Sequence, residues 1–181
     1  MNKWLFILST SLILLFLTNG ASAIVVNNNT KTAFTTIQQA IDDPTTTNGH
    51  QIIVTGTYQE NIQINKNITL KAQGTATIKA KNQSIETVTI NPAGSGTTIN
   101  GFTITNGYTG IKIQAKQCKI TNNNITNNKY SSLYLGGLGF VSLPPPLSGF
   151  LPYSPETSNN MISGNNIKTP PMESFSPLTT Y

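Results

Sequence analysis

The chain has 181 residues, of which 9% are charged, with eleven Lys or Arg against six Asp or Glu and a formal net charge of +5. Every cation is a lysine, and the lysines are scattered instead of gathered with aromatics, which excludes the basic patch that a nucleic-acid partner requires. A single cysteine, Cys118, excludes an intrachain disulfide, so packing must hold the fold, and Cys118 is expected as a small buried residue near a strand start.

Residues 1–23 carry Lys3, an apolar run from Trp4 to Leu17, and the small residues Ala21-Ser22-Ala23. The run is shorter than the roughly 20 residues that span a bilayer. It reads as a secretory signal peptide cleaved after Ala23. The rest of the chain is then expected outside the cytoplasm, secreted or in the cell envelope, with no membrane span left after cleavage.

Residues 24–50 read as an N-terminal cap. Thr35-Thr36-Ile37-Gln38 offers a Thr-x-x-Gln capping box, and Phe34, Ile37, Ala40 and Ile41 recur at helical spacing before Pro44. A short amphipathic helix here is predicted to cover the first turn of the repeats. His50, the chain's one histidine, comes directly after Asn48-Gly49 with no second ligand at metal spacing and is expected as an exposed turn residue. No metal or other cofactor is expected.

Residues 51–130 carry the organising pattern. An isoleucine, four small or polar residues and another isoleucine run from Ile99 to Ile104, and again from Ile120 to Ile125, matching positions lying 21 apart. A third copy, Ile162 to Ile167, lies two periods further on with Val141 at the skipped position, and one period back from Ile99 lands on Ile78. A constant period of about 21 signals stacked repeats, each too short to bury its apolar face alone. Within a unit the apolar residues alternate with polar ones, as in Phe102, Ile104 and Ile111, Ile113, which is the strand pattern. A leucine-rich repeat would need a Leu-x-x-Leu-x-Leu core, and residues 96–128 contain no leucine. The predicted fold is therefore all-β, a parallel β-helix solenoid with a short N-terminal capping helix. Asn122, Asn123 and Asn124 sit where stacked amides can form ladders.

From Ser131 the character of the chain changes. Residues 131–157 form an irregular Pro/Gly-rich segment, 158–168 an isolated repeat-like turn, and 169–181 a tail expected to be disordered. Two readings of the irregular stretches stay open: a polyproline-type insertion between turns, or sequence translated out of an ancestral frame, which would make the chain a truncated piece of a longer repeat protein.

The run FTTIQQAIDD, the motif Gly-Thr-Tyr-x-Glu-Asn at residues 56–61, and Asn-Ile-Thr-Leu at 67–70 resemble the first turns of right-handed parallel β-helix proteins of the pectin-lyase-like group. That group includes pectin esterases, pectate lyases, copper-maturation proteins of the periplasm and adhesin-like surface proteins. The resemblance implies a right-handed coil, and it makes Glu60 a structural residue of the first turn. It does not carry the enzymes' chemistry across. Their esterases use paired aspartates with an arginine, whereas this chain's aspartates are Asp42 and Asp43, both in the cap, and it has no arginine. Glu60 and Glu86 are not one repeat apart.

The expectation is thus a non-catalytic, adhesin-like surface protein contacting polysaccharide or cell-surface glycans through Tyr58, Tyr108, Tyr130 and Tyr134. The alternative is a carbohydrate-active enzyme, lyase-like or pectin-esterase-like, or its sugar-binding relic; a metal-maturation protein is the third reading. Sequons at Asn28, Asn67, Asn82 and Asn124 are candidate glycosylation sites.

Overall fold

A computed structural model describes residues 23–136 and 157–168. The chain begins with a hairpin, β1 (Ile24–Asn27) antiparallel to β2 (Thr32–Phe34), and β1 also runs antiparallel to β3 (Gln51–Gln59). Helix α1 (Ile37–Asp42) comes after the hairpin and buries Ile37, Ala40 and Ile41. Thr36, in extended conformation, is its N-cap and accepts from Gln39 N at 3.1 Å, while Thr35 donates to Gln39 Oε1 at 2.6 Å. The capping residue is therefore one position later than the sequence pattern suggested. The hairpin itself was not anticipated, because three- and four-residue strands carry too little alternation to be read.

Beyond the cap the strands pair in parallel, in two sheets that the chain visits by turns. One sheet holds β3, β5 (Thr69–Lys79), β7 (Thr98–Thr105), β9 (Lys119–Thr121), β10 (Asn124–Thr126), β12 (Met161–Ser163) and β13 (Asn166–Ile167), with β1 and β2 at its edge. The other holds β4 (Ile62–Ile64), β6 (Val88–Ile90), β8 (Thr109–Ile113) and β11 (Ser131–Leu135). In both, successive strands are added in sequence order. The long strands of the first sheet bend midway. Gly101 makes that bend in β7 at φ +85°, and one repeat later Asn122 makes it at φ +56°, splitting the strand into β9 and β10. Asn tolerates this left-handed region better than other residues with a side chain, which explains its place at the corner.

The register stacks like on like. Ile52, Leu70, Ile99, Ile120 and Ile162 form one buried column or its end. Tyr58, Ile78, Ile104, Ile125 and Ile167 form a second, and Ile62, Val88, Ile111 and Leu133 a third. The isoleucines at 99, 104, 120 and 125 are fully buried, each contributing about 1.5–3 kcal/mol of transfer free energy. Cys118 is likewise fully buried, immediately before β9.

The pairing also corrects three expectations. Ile78 lies beside Ile104 and Leu70 beside Ile99, because the turn from Thr69 to Thr98 is longer than the 21-residue unit. The third isoleucine pair stacks directly on the second, Ile162 on Ile120 and Ile167 on Ile125, so residues 158–168 are not an isolated turn, and nothing lies between these two pairs in the sheet. Val141 itself lies outside the described residues. Finally, the stretch expected to be irregular from residue 131 begins with β11, which pairs in parallel with β8, so regular structure continues to Leu135. The signal-like leader before Ala23, residues 137–156, and the expected tail 169–181 lie outside the described residues. No helix among the described residues is long and apolar enough to cross a membrane.

Candidate functional site

Asparagine side chains hold the corners that display the surface. Asn123 is almost fully buried and accepts from Phe102 N at 2.9 Å while donating to Ile99 O at 3.0 Å. Asn128 repeats the arrangement on Gly107 N (3.0 Å) and Ile104 O (3.4 Å). Asn165 does so on Asn123 N (2.8 Å) and Ile120 O (2.7 Å), and Asn160 on Cys118 N (2.8 Å) and Ala115 O (3.0 Å). Each amide satisfies one donor and one acceptor of the preceding turn, which a strand leaving its ladder at a corner would otherwise strand. Of the three asparagines picked out as ladder residues, Asn123 fills this role and Asn124 accepts from Asn166 Nδ2 at 2.9 Å, whereas Asn122 serves as the bend.

Beside the Asn128 corner stands an aromatic pair. Tyr108 and Tyr130 stack with ring centroids 5.1 Å apart and planes within 1°, an offset-parallel geometry. They precede Thr109 and Ser131, which are directly paired across β8 and β11, and Tyr130 N donates to Tyr108 O at 2.7 Å. Both are exposed, Tyr108 at 39% and Tyr130 at 60%. Ile85, also exposed, accepts from Tyr108 N through its carbonyl at 2.8 Å, which ties the backbone of the stack to the segment before β6. Tyr134 is half-buried and lies in register with Lys112 on the outer row of the second sheet.

Tyr58 does not belong with them. Its register beside Ile78 puts it in an inner column at 7% exposure, and its hydroxyl is buried with no hydrogen-bond partner. Burial, reinforced by the Glu60 carboxylate, pushes its pKa up to about 12. It is a core residue and not the glycan contact expected of it, because the strand beyond the bend at Gly56 turns it to the inside.

The carboxylates among the described residues are engaged in structure. Glu60 accepts from Ile37 N at 2.9 Å and Gln38 N at 3.0 Å with its two oxygens, tying the first turn to the start of α1. Glu86 pairs with Lys112 at 3.2 Å. Asp43 accepts from both the hydroxyl and the amide of Thr45, which hold its carboxyl below the usual range. Asp42 accepts from Gln38 Nε2 at 2.9 Å. The buried Cys118 thiol is pushed up by desolvation. His50 is half-buried, not an exposed turn residue: its Nδ1 accepts from the buried Asn27 amide at 3.1 Å, and Nε2 faces Thr47 Oγ1 at 3.0 Å, tying the hairpin to the first turn. Among the described residues no three His, Cys, Asp or Glu side chains converge as metal ligands.

The outer rows are rich in hydroxyls and amides. Thr57, Thr77, Thr103, Asn124 and Asn166 line up in register along one of them.

No family model matches the chain, and no solved structure matches it. Among curated proteins, a "Cell surface glycoprotein" of Methanothermus fervidus is 47% identical over 107 residues, covering 58% of this chain. The match covers 18% of that protein, so the chain spans less than a fifth of its relative's length.

Proposed function

We propose that this is a cell-surface protein of adhesin-like, non-catalytic character, built as a right-handed parallel β-helix whose outer face contacts glycans. The observation that carries the surface location is the extended identity with a protein named as a cell surface glycoprotein. The signal-like leader agrees with it. The solenoid reading is supported by in-register stacking of like residues in two parallel sheets that grow in sequence order. Its right hand is expected from the strong preference of parallel crossovers for that sense. Glycan contact is supported by the exposed Tyr108–Tyr130 stack and by the outer rows of Thr and Asn, since aromatic faces pack on sugar C–H groups while hydroxyls and amides exchange hydrogen bonds. The non-catalytic character is supported by Glu60, whose two oxygens are occupied by helix amides, and by Glu86 in its ion pair.

Two measurements test this reading. Brief proteolysis of intact cells that make the protein should release its peptides; complete protection until lysis would contradict a surface location. The purified protein, offered a panel of polysaccharides, should be retained on at least one without generating reducing or unsaturated sugar ends. Turnover of any substrate would replace the adhesin reading with the enzymatic one.

A further inference from the structure

The four sequons stand in different surroundings. Asn124 lies within β10, paired to Thr103 on one side and Asn166 on the other, with its Oδ1 taking the Asn166 amide at 2.9 Å. The Asn67 side chain is packed over Gly96, so closely that a Cβ added to that glycine would lie 2.6 Å from Asn67 Nδ2. Asn28 donates its amide to Gln51 Oε1 at 3.3 Å and accepts from Lys31 Nζ at 3.1 Å. In each case the side chain that would carry a sugar is committed to a neighbour or crowded by one.

Asn82 differs in its setting: it is exposed where Asn28, Asn67 and Asn124 are half-buried. It lies in a run of exposed residues, 81–85, that projects between β5 and β6. Its Oδ1 accepts from Ser84 N at 2.9 Å, a local Asx turn, and its Nδ2 has no partner among the described residues. The base of the projection is fixed by Asn61, which accepts from Asn82 N at 2.7 Å and donates to Asn82 O at 2.9 Å and Glu86 O at 2.8 Å. Ser84, exposed, supplies the sequon hydroxyl two residues on. A bulky, hydrated substituent fits here without displacing any ladder or core contact.

We propose that Asn82 is the N-glycosylation site of the folded protein. The sugar donor is an oligosaccharide activated as a polyprenyl phosphate ester, presented by a transferase on the export route. A bond forms between Asn82 Nδ2 and the anomeric carbon of the first sugar. The anomeric C–O bond to phosphate breaks with its electron pair leaving on the phosphate, and the displaced amide proton passes to a base of the transferase. The inference rests on the exported location but not on glycan contact by the tyrosines.

The test is to express the full chain in a secretory cell line that glycosylates Asn-x-Ser/Thr, and to map the secreted, folded product by peptide mass before and after removal of N-glycans. One glycan is expected, on Asn82, absent from both Asn82→Gln and Ser84→Ala while the thermal midpoint stays within a few degrees of the unmodified chain. A secreted, folded chain unmodified at Asn82, or one carrying its glycan on Asn28, Asn67 or Asn124, overturns the proposal. A chain that fails to leave the cytosol counts against the export reading instead, and the same map on residues 24–181 behind an unrelated leader then decides Asn82 separately.

Discussion

At the residue scale the fold depends on small polar groups whose role is to satisfy backbone atoms at corners. Replacing Asn123 by alanine removes the partner of Phe102 N and Ile99 O and opens a gap beneath Asn165. The expected cost is about 2–3 kcal/mol, since a buried unsatisfied amide costs about 1–3 kcal/mol. Urea unfolding should show it as a lower midpoint with an unchanged slope, and a midpoint equal to the parent's would remove the corner role. Tyr58 sets a pH limit of a different kind. Its neutral form is favoured by burial, so its contribution is fully present below the unfolded tyrosine value near 10 and is lost as pH rises toward about 12. Stability should fall across that window, and Tyr58→Phe, which also removes an unpartnered buried hydroxyl, should flatten the fall. Sequence alone identified these asparagines as corner residues, yet it could not say which of Asn122, Asn123 and Asn124 points inward. That depends on the bend made by the positive φ of Asn122, which shifts the alternation by a residue. The bend at Gly56 likewise decides that Tyr58 faces inward, which its residue type alone does not reveal.

Among the elements, α1 is six residues long, too short to persist by itself in water. It is held by the burial of Ile37, Ala40 and Ile41 and by the Glu60 carboxylate at its first amides. Glu60→Ala should therefore destabilise the chain by about 1–2 kcal/mol, in the range of a lost helix cap. Amide exchange should quicken first at Ile37 and Gln38, and unchanged protection there would show that the helix does not need this clamp. The helix was legible because its apolar spacing and Pro44 agree. The register of the long strands was legible only where the period stays at 21, between Ile99 and Ile125. Elsewhere the exposed loop at 81–85 lengthens a turn, and residues 136–156 separate Leu135 from the next strand pair. Length changes at corners leave the stacking of inner residues intact while erasing the arithmetic that would reveal it.

At the scale of the molecule the two ends of the stack differ. A hairpin and a helix cover the first turn, whereas at the other end Leu135 and Ile167, which stack on the buried Ile113 and Ile125, are exposed where their columns stop among the described residues. Between the ends, the outer rows of Thr and Asn and the exposed Tyr108–Tyr130 stack form the surface through which we expect the protein to act. Of the four tyrosines named as contacts, Tyr108 and Tyr130 are the exposed ones, and they come after Gly107 and Lys129 at a corner and not within a strand, a distinction their residue type does not carry. Their stacking was not legible, since it needs the one-residue offset between corner and strand. The most direct measurement is the affinity of the purified protein for the polysaccharide that retains it best, compared with Tyr130→Ala. Loss of one exposed ring face should weaken binding about tenfold, equivalent to about 1.4 kcal/mol, with the thermal midpoint unchanged. Equal affinity in the two proteins would contradict a glycan-contacting role for this face.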